Sequence, residues 1–268
     1  MSAPVMDEHV NQLTQKLARL RRDIAAVSSE KRMNSVVPQH QKSLVLAADE
    51  QEKARDRLVV PQALVPLFPG GGLVRGTVTE CSGASSVLLS ILAEVTAAGG
   101  QAAVIGQPQL CLSAAADMGA DLSRIGVVPD AGADPIEIAA VLLDGMDLVV
   151  LGLDGMSVPP SRSRVLAARA RGKRSALLVV DGVWSGSRLK VHAGVRSYRH
   201  LPERRPGYGR IGGYTLDVRT AGKGFAGAAA RVDVCFQGGR VRLLPTGADV
   251  VELAGPDVRS GGRNAQAC

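Results

Sequence analysis

Between Ala102 and Asp181 short apolar runs alternate with stretches of helical spacing, and few folds accommodate that order. Ala102–Gly106, Ile125–Val128, Leu148–Gly152 and Ala176–Asp181 read as strands, and Leu110–Met118, Ile136–Leu143 and Val165–Ala170 read as helices. The strands are apolar at nearly every position, so both faces must be buried, which a parallel sheet with helices on each side achieves. One helix start is explicit: Asp134-Pro135-Ile136-Glu137 sets a cap, a proline at the first helical position and a capping-box acid in order. After Ser187 the period falls to two. Arg188–His200, Gly213–Arg219, Arg231–Phe236 and Arg240–Leu244 alternate like antiparallel strands, with Gln237-Gly238-Gly239 as a hairpin turn. The expectation is an α/β core with a mainly parallel sheet and C-terminal antiparallel strands.

Flanking segments have a different character. Val10, Leu13, Leu17, Leu20, Ile24 and Val27 recur at alternating steps of three and four, a heptad seam on an otherwise polar helix. Such a stripe must be covered, either by the protein's own domain or by a neighbour or partner. Residues 28–57 are polar apart from Leu44–Ala48 and read as a linker with one edge strand. Residues 1–54 are thus expected to form an arm, 55–253 the core, and 254–268, rich in Gly and Arg without periodicity, a disordered tail.

The 268 residues, 46% of them hydrophobic, are enough for a sizeable core. Apolar runs near Leu142 and Val150 are interrupted by Asp144 and Asp147, which argues against a membrane span and for a cytoplasmic protein. Cys81, Cys111, Cys235 and Cys268 are scattered without a C-x-x-C pair, so neither a zinc site nor a disulfide framework is expected. The net charge of +7 is uneven: residues 157–210 hold 13 Lys/Arg against Asp181 and Glu203. Arg162, Arg164, Arg169, Arg204 and Arg205, with Trp184 nearby in sequence, make a candidate patch for nucleic acid or for an acidic partner.

Arg75-Gly-Thr-Val-Thr-Glu-Cys-Ser-Gly-Ala-Ser-Ser-Val-Leu-Leu89 stands where a strand (Val74–Glu80) gives way to a helix (Ser85–Ala98), the usual place of a phosphate-binding loop. Set over G-x-x-x-x-G-K-[ST], only Gly83 and Ser85 remain. Val78 takes the first glycine's place and Ala84 the lysine's, which removes the positive charge that answers a triphosphate. The residues fit either an emptied nucleotide site or an ordinary strand-to-helix turn that never held one.

Together with Leu67-Phe-Pro-Gly-Gly-Gly-Leu-Val-Arg-Gly-Thr-Val-Thr-Glu80, this order resembles the core of the RecA recombinase family over residues 55–220. Within that family, Leu201-Pro-Glu-Arg-Arg-Pro-Gly-Tyr-Gly-Arg-Ile-Gly-Gly-Tyr214 and the Gly-, Ala- and Arg-rich composition resemble the ImuA-prime proteins of actinobacteria. The resemblance implies a water-activating acid after the second strand, where this chain has Gly106-Gln107-Pro108, and a Walker B aspartate after Leu151, where it has Gly152. Asp154 is the one displaced candidate for a magnesium ligand. Two DNA-gripping loops would also be cut down, to Gly155–Pro160 and Gly182–Ser187.

What the resemblance implies is a protein without enzymatic activity, cofactor or metal, acting in translesion synthesis and damage-induced mutagenesis. Its partner would be ImuB and, through it, the sliding clamp and an error-prone C-family DNA polymerase. Self-association through the arm, weak DNA binding and recruitment to the nucleoid on damage belong to the same expectation. A SulA-type cell-division inhibitor and a weak RecA-class ATPase or single-stranded DNA binder are the alternatives.

Overall fold

The computed structural model describes residues 56–201, 209–222 and 224–246; the expected arm with its seam, the tail, Arg204 and Arg205 lie outside the described residues. Strands β3 (Val78–Gly83), β4 (Ala102–Ile105), β5 (Ile125–Val128), β6 (Leu148–Gly152) and β7 (Ala176–Val180) alternate with helices α1 (Ser85–Ala97), α2 (Leu112–Asp117), α3 (Pro135–Leu142) and α4 (Pro160–Lys173). Strands β8 (Leu189–Leu201), β9 (Arg210–Gly222), β10 (Phe225–Gln237) and β11 (Arg240–Pro245) follow without helices between them. Together they form one sheet of nine strands, ordered β11-β10-β9-β8-β3-β7-β6-β4-β5. Pairing is parallel from β8 through β5 and antiparallel from β8 to β11. The expected α/β class is therefore the observed one.

The sheet works because its central strands are apolar on both faces. In β6 all five residues are buried. Leu148 and Val150 join the cluster under α1 with Leu64, Ile91, Leu92 and Leu178, whereas Val149 and Leu151 join the cluster under α3 and α4 with Ile105, Leu143, Leu166 and Leu177. Each such leucine or isoleucine contributes about 1.5–3 kcal/mol when removed from water. Asp134 caps α3 by accepting from the Glu137 N–H at 3.4 Å, with Pro135 at the first turn.

Three departures from the sequence reading have physical causes. The strand expected over Val74–Glu80 divides into β2 (Leu73–Val74), which pairs with β1 (Arg57–Leu58), and β3, which runs on to Gly83. The break falls at Arg75-Gly76-Thr77, where the Arg75 guanidinium leaves the strand line to meet the Asp147 carboxylate at 2.6 Å. Helix α4 is longer than Val165–Ala170 because only Ser163, Leu166 and Ala170 are buried, so its Arg-rich ends carry no apolar signal. The antiparallel strands β9 and β10 reach 13 residues each, beyond the expected Gly213–Arg219 and Arg231–Phe236, because backbone pairing continues past the part of the sheet that helices cover.

Candidate functional site

Strand β3 ends at Gly83 and α1 begins at Ser85, so a single residue joins them. Val78, which the motif alignment sets at the first glycine of a phosphate loop, is the first residue of β3, 3% exposed and in register with Leu177. That reading is corrected: a β-branched residue there fills the core, and no four-residue loop remains to wrap a phosphate. Gly83 has φ +89°, and a Cβ on it would lie 2.0 Å from the Ala193 carbonyl oxygen of β8. The Ala84 N–H donates to that same carbonyl at 2.8 Å. The glycine is needed for close approach of two strands, and the adjoining amide is already used. Ala84 is half-buried, Ser85 exposed, and the hollow beside them measures about 40 Å³, the scale of one or two waters.

A larger crevice, about 590 Å³, opens at the carboxyl ends of the parallel strands, where open α/β sheets hold their ligands. Gly152 ends β6 at its wall. A Cβ there would lie 2.4 Å from the Gly106 carbonyl oxygen and 2.5 Å from the Gln107 amide nitrogen. The position that the resemblance assigns to a Walker B carboxylate is thus closed by neighbouring backbone as well as empty of charge. Gln107 donates from its side-chain amide to Asp181 Oδ2 at 3.0 Å, tying the segment after β4 to the end of β7.

The electrostatics of this crevice oppose an anion. Asp130, Asp154 and Asp181 line it, and its lining residues include no lysine or arginine. A phosphate charge about 6 Å from one of these carboxylates meets roughly 3 kcal/mol of repulsion at an effective dielectric of about 20. Asp154, the displaced candidate for a magnesium ligand, sits in a turn with φ 46°. Among the described residues no group of three His, Cys, Asp or Glu side chains is placed to hold a metal ion. Sequence reasoning singled out Asp154 alone, yet Asp130, Asp154 and Asp181 each fall within two residues of a parallel strand's end, a spacing legible once the strands are marked.

Of the candidate basic patch, Arg162, Arg164, Arg169 and Trp184 fall among the described residues. Trp184 is 3% exposed and belongs to the buried cluster with Leu153 and Val158, so its ring offers no stacking face. Arg162 pairs with Asp134 at 2.7 Å, and Arg169 pairs with Asp144 through two contacts of 2.9 Å. The Arg162 and Arg169 guanidiniums hold these exposed carboxyls below the usual carboxylate range. Arg164 is exposed on the same helix. The partner acids lie 25 and 28 residues away in sequence, a separation at which charge counting cannot pair them.

Residues 66–186 match a family model described as the MT3502 N-terminal domain. The uncharacterized protein Rv3395c of Mycobacterium tuberculosis is 53% identical over 164 residues, which span 60% of this chain and 80% of that protein. Among solved structures, the crystal structure of the RadB recombinase aligns with 65% of this chain and 94% of its own, at a TM-score of 0.46 and 15% identity. That likeness is too loose to bear on function. Among the described residues no helix is long and apolar enough to cross a membrane.

Proposed function

We infer that this chain, which belongs to the family of the Mycobacterium tuberculosis protein Rv3395c, is a non-enzymatic adaptor built on a RecA-like core. The observation that carries the reading is the closed wall at Gly152, where 2.4 Å to the Gly106 carbonyl leaves no room for a metal-binding carboxylate. Phosphoryl transfer depends on charge stabilisation and positioning. Here the lysine position is Ala84, the metal position is Gly152, the water-activating position is occupied by Gly106-Gln107-Pro108, and the crevice is walled by aspartates.

The finer assignment is an ImuA-prime protein, an adaptor of translesion synthesis that binds ImuB and helps bring an error-prone C-family polymerase to damaged DNA. Its support is the resemblance carried by residues 67–80 and 201–214. The connections Leu153–Pro159 and Asp181–Arg188, too short for DNA-gripping loops, agree with it. Two measurements test the reading on the full chain. The purified protein should neither turn over ATP nor gain thermal stability from Mg-ATP, and turnover that survives purification and is lost on altering Ser85 or Asp154 overturns the non-enzymatic reading. Co-purification from damaged cells should recover ImuB, whereas recovery of a tubulin-like division GTPase in its place would favour the SulA-type alternative.

A further inference from the structure

A polar hollow of about 280 Å³ opens on the sheet face away from α1, where β3, β8 and β9 lie side by side. Register gathers its side chains: Glu80 lies opposite Lys190, Ser82 opposite His192, and His192 opposite Arg219. Cys81, Val191 and Val218, their neighbours along each strand, belong to the core under α1, so alternation turns these five to the other face. Asp181, just past the end of β7, lines the hollow too. The charges answer one another only in part. Lys190 Nζ meets Glu80 Oε2 at 3.1 Å, yet Glu80 Oε1 is buried with no hydrogen-bond partner. Ser82 Oγ stands 3.0 Å from His192 Nδ1. Arg219, exposed, makes no ion pair or hydrogen bond among the described residues. The acid two residues before it, Asp217, is taken by Arg196 at 3.1 Å and Arg231 at 3.6 Å.

One cavity therefore holds a guanidinium without an acid and a carboxylate oxygen without a donor, and a buried polar atom of that kind is uncommon enough in native proteins to call for an explanation. The two demands select the ligand. A simple anion satisfies Arg219 but meets Glu80 and Asp181 as like charges, and a simple amine satisfies Glu80 but meets Arg219 and Lys190. A molecule carrying both charges escapes both penalties. We propose that this hollow binds a small amino carboxylate, a free amino acid or a molecule of that class, with its carboxylate on Arg219 and its ammonium on the Glu80 carboxylate beside Asp181. Lys190 is the movable member of the pair it makes with Glu80, since its side chain is 62% exposed, so a ligand ammonium can join or replace it there. The space suffices: a cavity of about 150 Å³ holds benzene, so this one has room for roughly a dozen non-hydrogen atoms.

The site goes beyond the adaptor reading and does not rest on it, so either can fail without the other. The common L-amino acids, added one at a time to the full chain at about 10 mM, are the probes, and at least one should raise Tm by roughly 2 °C or more. Calorimetric titration then gives its Kd. The methyl ester and the N-acetyl form of that amino acid, each lacking one of the two charges, should bind at least tenfold more weakly. Glu80→Gln and Arg219→Gln should each weaken the parent amino acid at least tenfold. Arg219→Gln, at an exposed position, serves alone if Glu80→Gln does not fold. No shift with any amino acid overturns the proposal, as does affinity that Arg219→Gln retains. Binding of acetate or inorganic phosphate as tight as that of the amino acid, and lost in Arg219→Gln, would make the hollow a plain anion site and overturn it equally.

Discussion

Replacing Gly152 should destabilise the protein without restoring a nucleotide site. In Gly152→Ala the new methyl would sit 2.4 Å from the Gly106 carbonyl oxygen and 2.5 Å from the Gln107 amide nitrogen, well inside van der Waals contact. The carbonyl belongs to the backbone just past β4, which is paired with β6 over four registered residues, so relief requires prising two central strands apart at their ends. Overpacking of this kind costs about 1–3 kcal/mol. In a domain of roughly 150–250 residues each kcal/mol shifts Tm by about 2–4 °C, so a fall of roughly 2–12 °C is expected. Gly152→Asp should fall further, because its carboxylate would join a crevice already lined by Asp130, Asp154 and Asp181. Gly172→Ala is the control: it lies in α4 with nothing within 4 Å of an added Cβ, and should raise Tm slightly. Differential scanning fluorimetry with and without Mg-ATP reads all three. A Gly152→Asp protein with the wild-type Tm and added protection by Mg-ATP would refute the reasoning.

Introducing the motif residues with Val78→Gly and Ala84→Lys should not confer ATP hydrolysis and should lower Tm, because Val78 is a core residue only 3% exposed. In a Cys268→Ser background, thiol labelling at pH 8 should begin at Cys111, exposed and with its pKa lowered by hydrogen bonds from the Ser113 hydroxyl and the Ala114 backbone; adding Cys111→Ser should remove the fastest phase. Cys81, pushed up to about 12 by burial and then by Asp181, should label only on unfolding. Burial opposes ionisation of Asp147, yet the Gln101 N–H and the Arg75 guanidinium outweigh it and hold the carboxyl below its ordinary value. Its contribution is therefore complete above the ordinary carboxylate value of about 3.9 and is lost as pH falls through the lower folded-state value. Asp147→Asn should lower Tm at neutral pH and flatten the decline of Tm below about pH 4.

The strand-to-helix turn illustrates why motif matching misplaces residues. Val78, Gly83, Ala84 and Ser85 align with a phosphate loop in spacing alone, and spacing is blind to whether the intervening residues curl around an anion or extend in a sheet. Here they extend, because Thr79, Glu80, Cys81 and Ser82 are paired on both sides, β7 on one and β8 on the other for most of their length. Trp184 was misread for a related reason. Its position among arginines in sequence does not reveal that the connection after β7 tucks inward against Leu153 and Val158.

Local pattern alone determined the α/β class, the strands Ile125–Val128 and Leu148–Gly152 to the residue, the capped start of α3 and the absence of charge at Ala84 and Gly152. These follow from periodicity, cap chemistry and side-chain identity, which act over a few residues. Only the tertiary structure decided that Gly83 is needed for the approach of Ala193 and that Gly152 has no room for a side chain. It also decided that Arg162 and Arg169 are held by Asp134 and Asp144. Those facts are distances between segments tens to more than a hundred residues apart, set by how the sheet is ordered, and no local window along the chain contains both partners.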